Sequence, residues 1–144
     1  MSILKVAIAS PLRRTFDYLP PAGLEQALVA ALQPGVRLRV PFGKREVTGY
    51  LLAVEDQSEL APGELKTALE VLDPVPLVES KLMGLALWAA DYYQHPVGEV
   101  LCALFPRRLR EGQAQRQWGE RGWRLSTRGK GLPDGALARA PRQA

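Results

Sequence analysis

The chain has 144 residues, 47% hydrophobic and 24% charged, with 19 Lys and Arg against 15 Asp and Glu. That length fits one domain, or one domain and part of another, and the apolar content excludes a chain disordered throughout. The net charge of +4 divides unevenly, because residues 1–106 carry 9 basic and 12 acidic side chains whereas residues 107–144 carry 10 and 3.

In chain order, Leu4-Lys5-Val6-Ala7-Ile8 alternates as a half-buried strand does, and Ser10-Pro11 breaks it. Thr15–Leu19 is a β-branched and aromatic run, ended by Pro20-Pro21-Ala22-Gly23. Leu24–Leu32 has helical spacing and predicts about two turns before Pro34-Gly35. Val36–Val40 alternates again, with Arg37 and Arg39 expected to face outward together. Pro41-Phe42-Gly43-Lys44 turns the chain into a returning strand over Val47–Val54. A polar loop, Asp56–Gly63, leads to Leu65–Leu72, where strand is favoured over helix by Val71 and the prolines beyond. From Ser80, read as the N-cap, a helix runs to about Tyr93 with Leu82, Leu85, Ala86 and Ala89 inward. Trp88, Tyr92 and Tyr93 are read as core, and Cys102 as buried and inert. A second helix is expected over Val97–Phe105.

The fold class expected is α+β, a small curved antiparallel sheet or partly closed barrel followed by a helical pair. Residues 1–106 form the module. Residues 107–144 read as a basic linker and an unfinished second domain, with a strand starting near Trp123 and a helix over Asp134–Ala144.

Several function classes fail on inspection. Gly43-Lys44 and Gly129-Lys130 lack both the earlier glycine and the following Ser or Thr of a phosphate-binding loop. One histidine, His95, with no Gly-x-Ser-x-Gly gives no basis for acyl transfer. A lone cysteine fits a reducing cytosol, and Cys102 with His95 cannot assemble a zinc site, so neither cofactor nor metal is expected in this chain. The longest apolar run, Leu82–Ala90, is too short to span a membrane. Arg13-Arg14 resembles a twin-arginine export signal but is followed by Asp17, Tyr18 and prolines where an apolar stretch belongs. The carboxylates of residues 55–79 read as a solvated face, and the expected protein is cytoplasmic and non-enzymatic.

One constellation stands out: Arg13, Arg14, Phe16 and Asp17 with Arg37, Arg39, Gly43, Lys44 and Lys66. Cations beside an exposed aromatic suit a nucleic-acid strand, since phosphates are neutralised while a base stacks on the ring. Gly43 would let a ligand approach the backbone. Asp17 would repel a phosphodiester and accept from a free 3′-hydroxyl or a base edge, so an acid among bases detects strand ends. The plainer alternative makes Phe16 and Tyr18 core, Asp17 a turn cap and the arginines solvated, and the residue types alone favour it.

Thr15-Phe16-Asp17-Tyr18, Pro34-Gly35, Arg39-Val40-Pro41-Phe42-Gly43-Lys44, Glu64-Leu65-Lys66 and Trp88–Gly98 occur in an order that resembles the N-terminal 3′ DNA-binding domain of the primosomal protein N′ family. These are bacterial replication-restart helicases, and the resemblance covers residues 3–106. It implies that Phe16, Asp17, Gly43 and Lys66 hold the 3′-terminal nucleotide, Asp17 at its base and the others at the sugar and 3′-OH. Arg13, Arg14, Arg37, Arg39 and Lys44 are the expected backbone contacts. The implied partners are DNA with a 3′-OH end and branched replication forks. Single-stranded DNA-binding protein and other primosome proteins are implied through a longer parent. In such a parent the helicase lobes, ATP site and zinc cysteines lie beyond this sequence, and the tail would begin a winged helix. Two alternatives remain, a barrel binding RNA or duplex without end preference and a protein-docking adaptor built on Trp88–Phe105.

Overall fold

The computed structural model describes residues 2–61, 63–115, 124–133 and 136. Alternating apolar side chains in β1 (Ile3–Ile8) place Leu4, Val6 and Ile8 on one face, all essentially without exposure. The strand lies mid-sheet, antiparallel to β2 (Phe16–Leu19) on one side and to β4 (Arg45–Glu55) on the other. β3 (Arg37–Phe42) pairs with β4 through the tight turn at Gly43-Lys44, as the alternation and turn residues predict. A bulge between Lys5 and Val6 opposite β4 adds local twist.

Two very short strands complete the six-stranded sheet, in the order β5-β2-β1-β4-β3-β6. β5 (Lys66–Thr67) joins β2 in parallel, and β6 (Glu70–Val71) joins β3 antiparallel. Between them Ala68 N–H donates to Leu19 O at 2.9 Å and Leu69 N–H to Arg39 O at 2.8 Å. One stretch of six residues therefore bonds to both edges of the sheet, which must curl to present them to it. This explains why Leu65–Leu72 resembles neither a clean strand nor a helix. It also corrects the expectation of a wholly antiparallel sheet, because β5 meets β2 from a long connection and runs alongside it. The curled interior holds Leu4, Val6, Ile8, Tyr18, Leu38 and Val40, and α1 (Gln26–Ala30) plugs it with Val29.

The outer face is covered by α2 (Ser80–Tyr92) and α3 (Val97–Ala103). α3 runs so close to β1 that a Cβ at Gly98 would lie 1.9 Å from the Ile8 carbonyl oxygen. Phe105 stacks on Tyr50 of β4, with ring centroids 5.0 Å apart. The inward stripe of α2 is Met83, Ala86 and Ala90, whereas Leu82, Leu85, Trp88, Tyr92 and Tyr93 are exposed. The expected inward face was therefore displaced, and the aromatics are surface residues. Small side chains let the helix approach closely, so size did not mark the buried stripe. Ser80 is the first helical residue, with Glu79 at the cap position and no side-chain cap bond. Cys102 is half-buried rather than buried.

Residues 107–113 continue onto this face. α4 (Arg107–Arg110) places Leu109 against the outer cluster, and Arg37 donates to the carbonyls of Leu109 and Gln113. Among the later residues, α5 (Thr127–Lys130) is capped by Ser126, and Arg124–Ser126 is not a strand. Trp123 and the helix expected over 134–144 lie outside the described residues, apart from a turn at Ala136. Among the described residues no helix is long and apolar enough to cross a membrane.

Candidate nucleic-acid interface

A cleft of about 780 Å³ opens at the rim of the curled sheet and brings together Phe16, Asp17, Gly43, Lys66 and Arg14. Its size lies within the range of roughly 300–1,000 Å³ typical of small-ligand sites. Three structural relationships assemble these residues from distant sequence positions. Parallel pairing sets Tyr18 opposite Lys66, so β2 carries Phe16 and Asp17 beside β5. The β3–β4 turn is drawn in by a hydrogen bond from the Tyr18 hydroxyl to the Pro41 carbonyl, 2.9 Å, and by Phe16 meeting Phe42 edge to face at 5.1 Å. The loop after β4 folds back so that Ser58 Oγ donates to Asp17 Oδ2.

Each residue retains free chemistry. Among the described residues no protein donor reaches Asp17 Oδ1, which leaves it able to accept from a ligand hydroxyl or amine. Gly43 adopts φ +62° with nothing within 4 Å of where a Cβ would stand, so its backbone faces open space. Lys66 is exposed and Phe16 half-buried. The Arg14 guanidinium stands 5.0 Å from the Phe16 ring centroid, a cation–π pairing that leaves its edge available.

The charge in the cleft is more acidic than the sequence pattern predicts. Glu55, Glu59 and Glu64 join Asp17 in the lining, against Lys5, Arg14 and Lys66. Lys5 is bound to Glu55 at 3.0 Å, and that hydrogen bond is the main cause of its raised pKa. The solvated acidic face expected over 55–79 is thus in part a wall of the site. Sequence gave no signal for Ser58 or Lys5. Ser58 reaches Asp17 only through the path of a loop, and Lys5 only through its register opposite Asp17.

The five expected backbone contacts separate. Arg14 lines this cleft, while Arg13 lies beside it at the end of α2. Lys44 is exposed on the adjoining turn. Arg39 is paired with Glu70 at 3.4 Å and lines a different cleft with Glu46 and Glu111. Arg37 is a correction. It has no exposed surface, and its guanidinium is consumed by Asp73 and two carbonyls, so it cannot meet a strand. Alternation predicts that Arg37 faces outward, and the structure does place it on the outer face, opposite Tyr50, but that face is covered. Among the described residues no group of three or more His, Cys, Asp or Glu is placed to hold a metal ion.

A curled, edge-closed sheet with a cleft of aromatic, carboxylate and basic groups at its rim is a small ligand-binding β module. The profile of the PriA 3′ DNA-binding domain family, described as "3'DNA-binding domain (3'BD)", matches residues 5–106, and the chain belongs to that family. It is 35% identical over its whole length to the replication restart protein PriA of Haemophilus influenzae, of which it spans 19%. It is also 35% identical over 78 residues to PriA of Bacillus subtilis and 31% identical over 113 residues to PriA of Treponema pallidum. The matched profile is that of a DNA-binding module and not of a helicase lobe.

Proposed function

We propose that residues 1–106 bind the 3′-OH end of a DNA strand and serve as the targeting module of a replication-restart helicase. Asp17 meets the terminal base, while the backbone around Phe16 and Gly43, with Lys66, holds the sugar and its hydroxyl. The observation that carries this reading is the parallel β2–β5 pairing, which brings a carboxylate with one unused oxygen, Lys66 and the half-buried Phe16 ring to one cleft. The wall of Glu55, Glu59 and Glu64 supports it, because a continuing phosphodiester would be repelled there while a neutral terminal sugar would not. In the parent protein the partners would be branched forks and single-stranded DNA-binding protein, and residues 107–144 would lead into a winged helix. ATP and zinc would belong to that parent, and this module would need no cofactor.

The test compares a linear single strand with a covalently closed circle of the same sequence, by competition for a 3′-ended fluorescent probe. The linear strand should compete and the circle should not. Equal competition would establish instead a barrel that binds strands without regard to ends.

A further inference from the structure

We propose that a strand whose terminal nucleotide occupies this cleft leaves over Arg14 and lays its first phosphodiester in a second cleft, faced by Arg13 and His95. This inference rests on the 3′-end reading. The second cleft, about 210 Å³, lies between the β1–β2 loop and the C-terminal end of α2 and includes Asp91. Arg14 and Thr15 line both clefts, which are therefore contiguous.

The cations here are held in place without being neutralised. Arg13 donates to Gln94 Oε1, and Gln94 Nε2 donates to the Asp91 carbonyl at 2.6 Å. Gln94 itself adopts φ 54°, just past the end of α2, which turns its side chain back toward the loop. The partner of Arg13 is thus a neutral amide, and among the described residues neither Arg13 nor Arg14 forms an ion pair. A guanidinium has five N–H donors, so most of Arg13 remains free for phosphate oxygens. His95 Nε2 meets Glu99 at 3.0 Å, so the phosphate oxygens are left to the arginines. Asp91 is the single carboxylate in the lining, outweighed by the two arginines. By contrast, a strand leaving along the loop side would pass Glu55, Glu59 and Glu64. The chemical class recognised is a phosphodiester one nucleotide from a 3′ end.

The experiment uses the full chain and short single strands ending in 3′-OH, each carrying one neutral methylphosphonate at the first, second or third linkage from that end. Fluorescence anisotropy should show a loss of about threefold to tenfold for substitution at the first linkage. In Arg13→Gln that loss should vanish, while the preference for a 3′-OH over a 3′-phosphate persists. Lys44→Gln, on the exposed β3–β4 turn and outside both clefts, should leave the loss intact. The inference is overturned if the first linkage is insensitive in the wild type, if Arg13→Gln keeps the loss, or if Lys44→Gln abolishes it. If wild type shows no 3′-OH preference at all, it is the end-binding reading that has failed.

Discussion

Arg37 and Asp73 form a buried bidentate pair, Nη2 to Oδ1 and Nε to Oδ2 both at 2.7 Å, with the Arg37 backbone N–H also donating to Oδ2 at 3.2 Å. The remaining nitrogen, Nη1, donates to the carbonyls of Leu109 and Gln113, so one guanidinium joins β3 to Asp73, just after β6, and to residues 107–113. The pair is a structural clamp on the outer face, on the side of β3 away from the curled interior.

Removing one partner of such a pair leaves a buried charge uncompensated, at a cost of about 3–5 kcal/mol. Arg37→Ala should therefore lower the urea midpoint severely, whereas at low temperature the molecules still folded should keep the wild-type preference for 3′-OH ends. Equilibrium unfolding followed by circular dichroism, paired with anisotropy, checks both halves.

Asp17→Ala removes the unused carboxylate oxygen from the end cleft and also the acceptor for Ser58. A hydrogen bond to a charged group contributes about 1.5–3 kcal/mol, so affinity for a 3′-OH strand should fall about tenfold or more. Affinity for a 3′-phosphate strand should change little or rise. Ser58→Ala should give a milder version of the same loss, measurable in the same titration.

Two glycines separate function from packing. Gly43→Ala meets no neighbour but must hold φ +62°, a strain of roughly 1–2 kcal/mol, and its methyl would occupy the space open to a ligand. Its DNA affinity should fall by more than its stability. Gly98→Ala would drive a Cβ to 1.9 Å from the Ile8 carbonyl and force α3 off β1, so stability should fall by about 3 kcal/mol or more. A thermal melt beside an anisotropy titration distinguishes the two patterns.

Alkaline pH supplies an independent check on the interior. Burial pushes the Tyr18 phenol up to about 12, from 10.0. The folded state therefore keeps this proton after the unfolded chain has lost it. The contribution is complete below pH 10 and disappears as pH rises through 12, roughly 2–3 kcal/mol in all. Tyr50, buried on the other face, is also pushed up by desolvation and acts in the same direction. Urea midpoints measured from pH 9 to 12 should decline, and Tyr18→Phe should flatten the decline while losing the bond to Pro41.

Much of this was legible in the amino-acid order. The strands β1 to β4, the turn at Gly43 and both main helices follow from alternation, turn chemistry and helical spacing. The four residues Phe16, Asp17, Gly43 and Lys66 do meet in one cleft. What sequence could not carry was whatever depends on how elements cover one another. Arg37 looks like any outward residue of a half-exposed strand until Asp73 and residues 109–113 close over it. The inward stripe of α2 consists of alanines and Met83, so hydrophobic size pointed to Leu82, Leu85 and the aromatics instead. The split of Leu65–Leu72 between β5 and β6 follows from sheet curvature, which no local pattern encodes. Ser58 reaches Asp17 through a loop whose course its own residues do not specify.

In the function proposed, an acid placed among bases reads the end of a strand. The most direct measurement is the ratio of affinities for two otherwise identical single strands, one ending in a 3′-hydroxyl and one in a 3′-phosphate. The wild-type chain should bind the hydroxyl end clearly more tightly, and the ratio should collapse toward one in Asp17→Ala. Equal affinities in the wild type would contradict it.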